Sequence, residues 1–518
     1  MRAALLRRPV NRTVNRQQKS IAYSTPAPVG GWNARDSIDQ MDEDEAVSLD
    51  NFFPGFGKVS LRNGSSSYAT GLGADVFTLS EFNAGASRKL IAGANGAIWD
   101  ISSAGAGSSL KTGFSENKWQ WAQFDDASGG SRMGLVNGTD APQIYNGTTV
   151  TGMTVSSTGL TVSTLIGVNV HKNRSYFWTG TSQDFYYSAT NALGGVLTKF
   201  PLGRVSGFGG NLLTMGTWSV DGGDGLNDLA VFVMTSGDVI VYNGSNPGDA
   251  NDWSLVGIYR IGAPLGVRGV VKAGRDLVVM SKDGYVPLSK VLPTGRTQGE
   301  LALSDKIRGA VQEAGQAYSA NFGWQAIHYP RGNMALFNVP TSGTKFDQHV
   351  VNTTTGAWCK FTGWNARCFG LYNDRLYFGH NGTVYLADTG TADGSAAISG
   401  DGQGAWTYFR RRNQLKRLTL AKVLGSATGT LPYTLGIGAD FRDSQISVTA
   451  STPSVAGGEW DSSDWDTTDW PVEETVFDGW GSAGAIGYNF SPRLRVSSST
   501  QGFDWYSTAY AFEAGGII

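Results

Sequence analysis

The chain has 518 residues, a formal net charge of -2 from 41 basic and 43 acidic side chains, 16% charged residues and 71 glycines. Near-neutral charge excludes a protein whose whole surface is a basic nucleic-acid coat, and two cysteines, Cys359 and Cys368, exclude a disulfide framework in a chain this long, so free buried thiols in a reducing cytosol are expected. Scarce charge with abundant glycine fits short strands joined by tight turns, which points to an all-β fold.

Residues 1–28 form a basic block in which Arg2, Arg7, Arg8, Arg12, Arg16 and Lys19 stand with no acidic residue, ending in Ser-Thr-Pro-Ala-Pro. That composition reads as a flexible arm: either a solvated tail or a contact for DNA phosphates or an acidic partner. It lacks the apolar core of a secretion signal, and no apolar run reaches membrane-spanning length. A soluble protein without a membrane anchor is expected.

In Gly30 to Gly64, Asp42, Glu43, Asp44 and Glu45 precede Ala46, Val47 and Leu49, which predicts a short helix with acidic groups in its first turn. The carboxylates lack the alternate spacing of a calcium loop. Lys58 to Arg62 alternates as a half-exposed strand.

From residue 76 one pattern recurs. Its clearest copy is LAVFVMTSGDVIVYNG, Leu229 to Gly244, two apolar strands around a Ser-Gly-Asp turn. Because apolar and polar residues do not alternate, both faces of the hairpin should be covered, with Phe232, Val233, Val239 and Val241 buried on opposite faces. Turn glycines at 96, 138, 180, 237, 284, 343 and 382 lie 39 to 59 residues apart. That period predicts a β-propeller over residues 76–392, with insertions near 245–270 and 293–325. A less regular sandwich is the alternative.

Beyond Gly390, ADGSAAISGDGQG reads as a low-complexity linker. Ala405 to Arg411, Leu415 to Leu424, Pro432 to Phe441 and two segments within Pro492 to Phe512 read as strands of a C-terminal β domain, residues 393–518, that packs with segment 29–75 as a platform. Arg410, Arg411, Arg412, Lys416 and Arg417 form a basic patch: either an adaptor or DNA contact or a polar strand face. Glu459 to Pro471, EWDSSDWDTTDWP, is a Trp- and Asp-rich loop that would present Trp to sugars or be pinned by Trp packing.

No catalytic constellation emerges. His171, His328, His349 and His380 are scattered without metal-ligand spacing, and neither a G-x-S-x-G elbow nor a P-loop occurs. Ser281-Lys282-Asp283-Gly284 approaches the turn repeated in sialidase-type propellers but has its glycine one place early. No enzyme activity, cofactor or metal is expected.

The Gly30 to Gly64 block, the repeated hairpins, AWCKFTGWNARCFG (Ala357 to Gly370) and DRLYFGHNGTVYLAD together resemble the tail hub or nozzle proteins of short-tailed bacteriophages. The resemblance runs over most of the chain. It implies a structural virion protein of the tail, assembled in the host cytoplasm: a homohexameric ring below the portal and head-to-tail adaptor, with fibres or spikes outside. The ring would retain packaged double-stranded DNA and conduct it during ejection without sequence preference. The alternative is a tail-associated propeller depolymerase or glycan-binding protein acting on host surface polysaccharide, motivated by the Trp- and Asp-rich loop.

Overall fold

The computed structural model describes residues 20–85, 87–125, 130–221, 226–274, 276–291, 302–451 and 475–517. Among these residues the fold is all-β: a β-propeller joined to a platform built from both terminal segments. Seven antiparallel sheets form the blades. Blade 1 runs Val76–Ala84, Ser87–Ala94, Ala97–Asp100 and Ser108–Thr112, blade 2 Gln120–Asp125, Ser131–Val136, Gln143–Tyr145 and Val150–Gly152, and blade 3 Leu165–His171, Arg174–Thr179, Phe185–Tyr187 and Thr198–Phe200. Blade 4 comprises Leu212–Asp221, Leu226–Met234, Asp238–Asn243 and Ser254–Arg260, and blade 5 the three strands Val270–Ala273, Asp276–Ser281 and Gly284–Pro287. Blade 6 is Gln325–Tyr329, Met334–Val339, Asp347–Asn352 and Trp358–Phe361. Blade 7 takes Cys368–Tyr372, Arg375–His380 and Thr383–Ala387, and its outer strand, Ser65–Thr70, comes from far upstream in antiparallel register.

The first strands of successive blades touch all the way round, and the last meets the first through Cys368–Tyr372 against Val76–Ala84. Each gap between blades is filled by an apolar cluster, the one between blades 6 and 7 being shared with the platform. Phe82, Trp119 and Tyr145 fill the gap between blades 1 and 2, and Phe185 stacks on Phe232 at 4.6 Å between blades 3 and 4. All seven turn glycines fall at the same place, the turn or its edge between the second and third strands of a blade. Asn95–Gly96 and Asn381–Gly382 take the left-handed backbone such turns require.

The 229–244 hairpin behaves as its pattern requires. Phe232 faces the blade 3 cluster, whereas Val233, Val239 and Val241 face blade 5, and all four are buried. The expected insertion near 245–270 is a different thing: Ser254–Arg260 is blade 4's own outer strand. The region near 293–325 carries the helix Arg308–Tyr318, whose Val311 and Ala314 pack into the gap between blades 5 and 6.

The platform stacks two sheets. In one, Phe503–Ile517 lies between Ile21–Pro26 and Gln414–Ala427. In the other, Ala396–Gly404 lies between Glu45–Asp50 and Phe490–Ser498, continued by Pro432–Ala439 and Arg442–Ser451. Four expectations fail here. Ile21–Pro26, inside the 1–28 stretch read as a flexible arm, is a platform strand paired with residues 507–512. Glu45–Asp50 is a strand, not a helix, because Gly31–Trp32 and Gly402–Gly404 supply backbone partners on both sides and Ala46 and Leu49 enter the core; an isolated turn of helix has no comparable compensation. Ala396–Gly404 is a central strand rather than a linker. Its glycines exist for close approach: a Cβ at Gly400 would stand 2.8 Å from Leu61 and Phe52 side-chain atoms. Residues 405–411 are not a strand: Thr407 makes a single bridge to Phe490 and the chain turns at Phe409 and Arg410.

Glu45–Asp50 also touches blade 6 at Lys360, so one sheet runs from platform into propeller. Across that seam two carboxylates face each other and each takes a cation from its outer side: Arg495 and Arg493 hold Asp401, and Lys360 holds Asp50 at 3.1 Å. Burial raises the Asp50 carboxyl above its ordinary pKa, opposed by Lys360. Cys359 and Cys368 are free and buried, and burial pushes the Cys368 thiol up to about 12. Among the described residues no helix is long and apolar enough to cross a membrane.

Two predictions concern stability. Phe232→Ala should cost ~3–5 kcal/mol, because it empties a stacked site between blades that cannot collapse; urea denaturation measures it. His171 and His349 are held neutral, to about 4 and about 3, by burial first and then by Lys172 and Lys360 respectively. Unfolded histidine binds its proton near pH ~6.5, so between that pH and 4 the unfolded state carries more protons and stability falls as pH drops. Each histidine steepens the fall by up to about 1.4 kcal/mol per pH unit. His349→Gln should flatten the acid limb of the urea midpoint against pH; an unchanged limb refutes the assignment.

Candidate functional site

Two places concentrate cationic chemistry. The first is the turn between Ala396–Gly404 and Gln414–Ala427. Phe409 and Arg410 adopt left-handed φ values of 50° and 57°, a strained backbone for non-glycine residues that the packing of Phe409 holds in place. Its ring meets Tyr23, Phe490, Tyr510 and Phe512 at centroid distances of 4.9 to 5.3 Å. That anchor sets Arg410, Arg411 and Arg412 outward, all exposed.

Their partners are local. Arg412 pairs with Asp39 at 2.6 Å and lies over Tyr408, Arg411 Nη1 donates to Gln414 Oε1, and Arg410 lies within reach of the Tyr23 hydroxyl. Glu43, from the acidic run, accepts from Tyr23 Oη and Thr407 Oγ1. Glu45 is buried against Lys306 at 2.5 Å. Glu43 thus pins platform segments together and Glu45 ties the platform to Lys306 beside the Arg308–Tyr318 helix, rather than capping a helix. Lys416 does not join the exposed patch: it is buried, and Nζ donates to the carbonyls of Arg411, Gln414 and Tyr488 at 2.7 to 2.9 Å. Burial lowers its pKa to about 8. Arg417 is exposed. Arg2, Arg7, Arg8, Arg12 and Arg16 lie outside the described residues, as does the Glu459 to Pro471 loop.

The second place is the propeller axis, which sequence reasoning missed. Arg268, at the entry to blade 5, reaches across the central hole to blades 1 and 2. Nη1 donates to Phe77 O at 2.8 Å, Nη2 to Trp119 O at 2.7 Å and Thr78 Oγ1 at 3.1 Å, and Nε to Gln120 Oε1 at 3.3 Å. A cavity of about 340 Å³ and another of about 270 Å³ both use Arg268 and Gln325 as wall. Among the described residues neither is lined by Asp or Glu, and no group of His, Cys, Asp and Glu is arranged to hold a metal. In sequence Arg268 is an isolated arginine in GVRGV, and nothing in its neighbours signals that it crosses the axis.

No family model and no curated protein matches the chain. Among solved structures it is similar in outline to two crystal structures of BBS1N in complex with ARL6DN, one soaked with lead and one with mercury. Their TM-scores are 0.38 and 0.39 and their identities 9% and 8%, each over 64% of this chain and 99% of the other. An exo-beta-1,3-galactanase from Phanerochaete chrysosporium with galactose gives 0.28 and 11%, over 75% of this chain and 95% of the other. These likenesses carry no argument about activity.

The basic turn yields a direct contrast. Arg410→Ala with Arg412→Ala should shift stability by less than about 0.5 kcal/mol, since exposed ion pairs contribute little. Phe409→Ala should cost ~3 kcal/mol or more by removing the anchor. Urea midpoints of the two variants test both statements.

Proposed function

We propose that the chain is a non-enzymatic structural protein of a short-tailed bacteriophage tail, a nozzle or hub subunit whose copies ring the DNA exit channel beneath the portal and its adaptor. The observation that carries the reading is a platform knit from both terminal segments, fused by a continuous sheet to a rigid propeller and displaying the exposed Arg410 to Arg412 turn. It comes in addition to the resemblance of Gly30 to Gly64 and Ala357 to Gly370. The platform edge also exposes Leu420, Val476, Trp480 and Ile486, apolar surface suited to contact between copies. Arg268 crosses the propeller's central hole, so in this reading DNA passes between subunits, not through a blade ring. Permanent ring contacts of this kind bury on the order of 2,000 Å² or more.

Native mass spectrometry and co-sedimentation with adaptor complexes test the proposal. The expected result is a hexamer, formed alone or on the adaptor, that Trp480→Glu with Ile486→Glu dissociates while leaving the monomer folded. A strictly monomeric protein that ignores adaptor complexes overturns it. Release of reducing ends from host capsule or lipopolysaccharide would instead favour the depolymerase.

A further inference from the structure

The axial cavity beside Arg268 has a charge imbalance that its neighbours do not remove. Lys118, Arg268 and Arg367 converge on two rings, Phe77 and Phe322, which meet edge to face at 5.7 Å. Lys118 Nζ lies 5.6 and 5.2 Å from the two ring centres, Arg367 lies 5.3 Å from Phe77, and Arg268 lies 5.6 Å from Phe322. Two of the cations have carboxylates: Lys118 pairs with Glu116 at 3.0 Å and Arg367 with Asp75 at 2.6 Å. Among the described residues no carboxylate pairs with Arg268, whose charge is met by carbonyl, hydroxyl and amide oxygens alone. Burial accordingly lowers its pKa to about 10.

A half-buried cation without a counter-charge is a costly arrangement, eased where its donors are met and an anion can approach. The Arg268 donors are largely met, by uncharged oxygens. Beside it lies the cavity of about 340 Å³, within the size range of small-molecule sites. Arg268 and Arg367 both line it, together with Phe322, Asn321 and Trp324. Arg367 Nε is buried with no hydrogen-bond partner. The Trp324 indole is fixed by donating to Tyr318 O. The cavity lies where the blade-to-blade connections and the second-to-third-strand turns collect, since the segments before the first strands of blades 5, 6 and 7 and Thr235 of blade 4 all reach it.

We propose that this cavity binds a small organic anion, one carboxylate or phosphate group held between Arg268 and Arg367 with a compact ring body against Phe322. Arg268 keeps one Nη1–H and Arg367 its Nε–H, enough for one charge-assisted contact from each side of an anion, and the aromatic wall suits a flat apolar or sugar-ring face. The site is independent of the tail reading and of the basic turn.

Isothermal titration of the full chain with sodium glucuronate, benzoate, phenyl phosphate and inorganic phosphate at low ionic strength tests it. The expected result is saturable one-to-one binding of at least one organic anion, weakened about tenfold by Arg367→Gln, the loss of one charge-assisted contact. The sugar acid and the aromatic acids separate the two kinds of body. Phe322→Ala should weaken the organic anions too; it carries the test alone if Arg367→Gln melts at lower temperature or fails to fold, since Phe322 is half-buried. No binding at millimolar concentration, binding of inorganic phosphate alone, or organic-anion affinity unchanged in the folded variants overturns the proposal and leaves Arg268 a strut between blades.

Discussion

A hairpin with two apolar faces has to be covered twice, and the propeller follows from that requirement. In blade 4, Phe232, Ile240 and Tyr242 face blade 3 while Val231, Val239 and Val241 face blade 5. Neither neighbour can satisfy both faces, and each has two faces of its own. Stacking in a line would leave terminal blades with bare apolar surface; closing the line into a ring removes the ends. Closure is then secured by a strand from elsewhere in the chain, Ser65–Thr70 on Thr383–Ala387. Side chains also cross between blades: Asn169 donates to Met215 O, Gln325 exchanges bonds with the Phe369 backbone, and Arg268 spans the axis.

The platform answers a different constraint. Its sheets need strands from both terminal segments, so the propeller is a loop drawn out of a single sandwich, and the two units share a core: Phe52, Trp505 and Leu494 of the platform lie in the same cluster as Leu336, Phe369 and Phe378 of blades 6 and 7. Gly400 lets the middle strand sit against Leu61 and Phe52, where a Cβ would come within 2.8 Å, and Gly402 sits nearly as close to Leu49, at 3.2 Å. Arg495, Asp401, Asp50 and Lys360 cross the seam on one row of the sheet, the outer cations offsetting the repulsion of the two facing carboxylates. Such a junction joins the propeller to the platform through a continuous sheet and a shared core.

The two cationic places differ in how they hold their charge. At the turn, arginines stand in water beside Asp39, where a binding partner meets them at little cost and their strength depends on salt. On the axis, Arg268 is half-buried and held by the Phe77 and Trp119 carbonyls and the Thr78 and Gln120 side chains. Surface contact suits the first and a small enclosed ligand the second.

The sequence alone determined the repeat. Strand-turn-strand units at a period of 39 to 59 residues, each with a turn glycine, are local features, written in hydrophobic pattern and backbone conformation within about fifteen residues. The same locality explains the errors. Glu45–Asp50 looked helical because acidic residues precede apolar ones, and Ala396–Gly404 looked like linker because it is glycine-rich; each became a strand only when partners hundreds of residues away supplied hydrogen bonds and a surface to approach. The blade count, the upstream strand that closes the ring, Phe409's hold on the basic turn and the reach of Arg268 across the axis were decided by tertiary structure. Each depends on which distant backbone lies opposite, and no window of sequence carries that information.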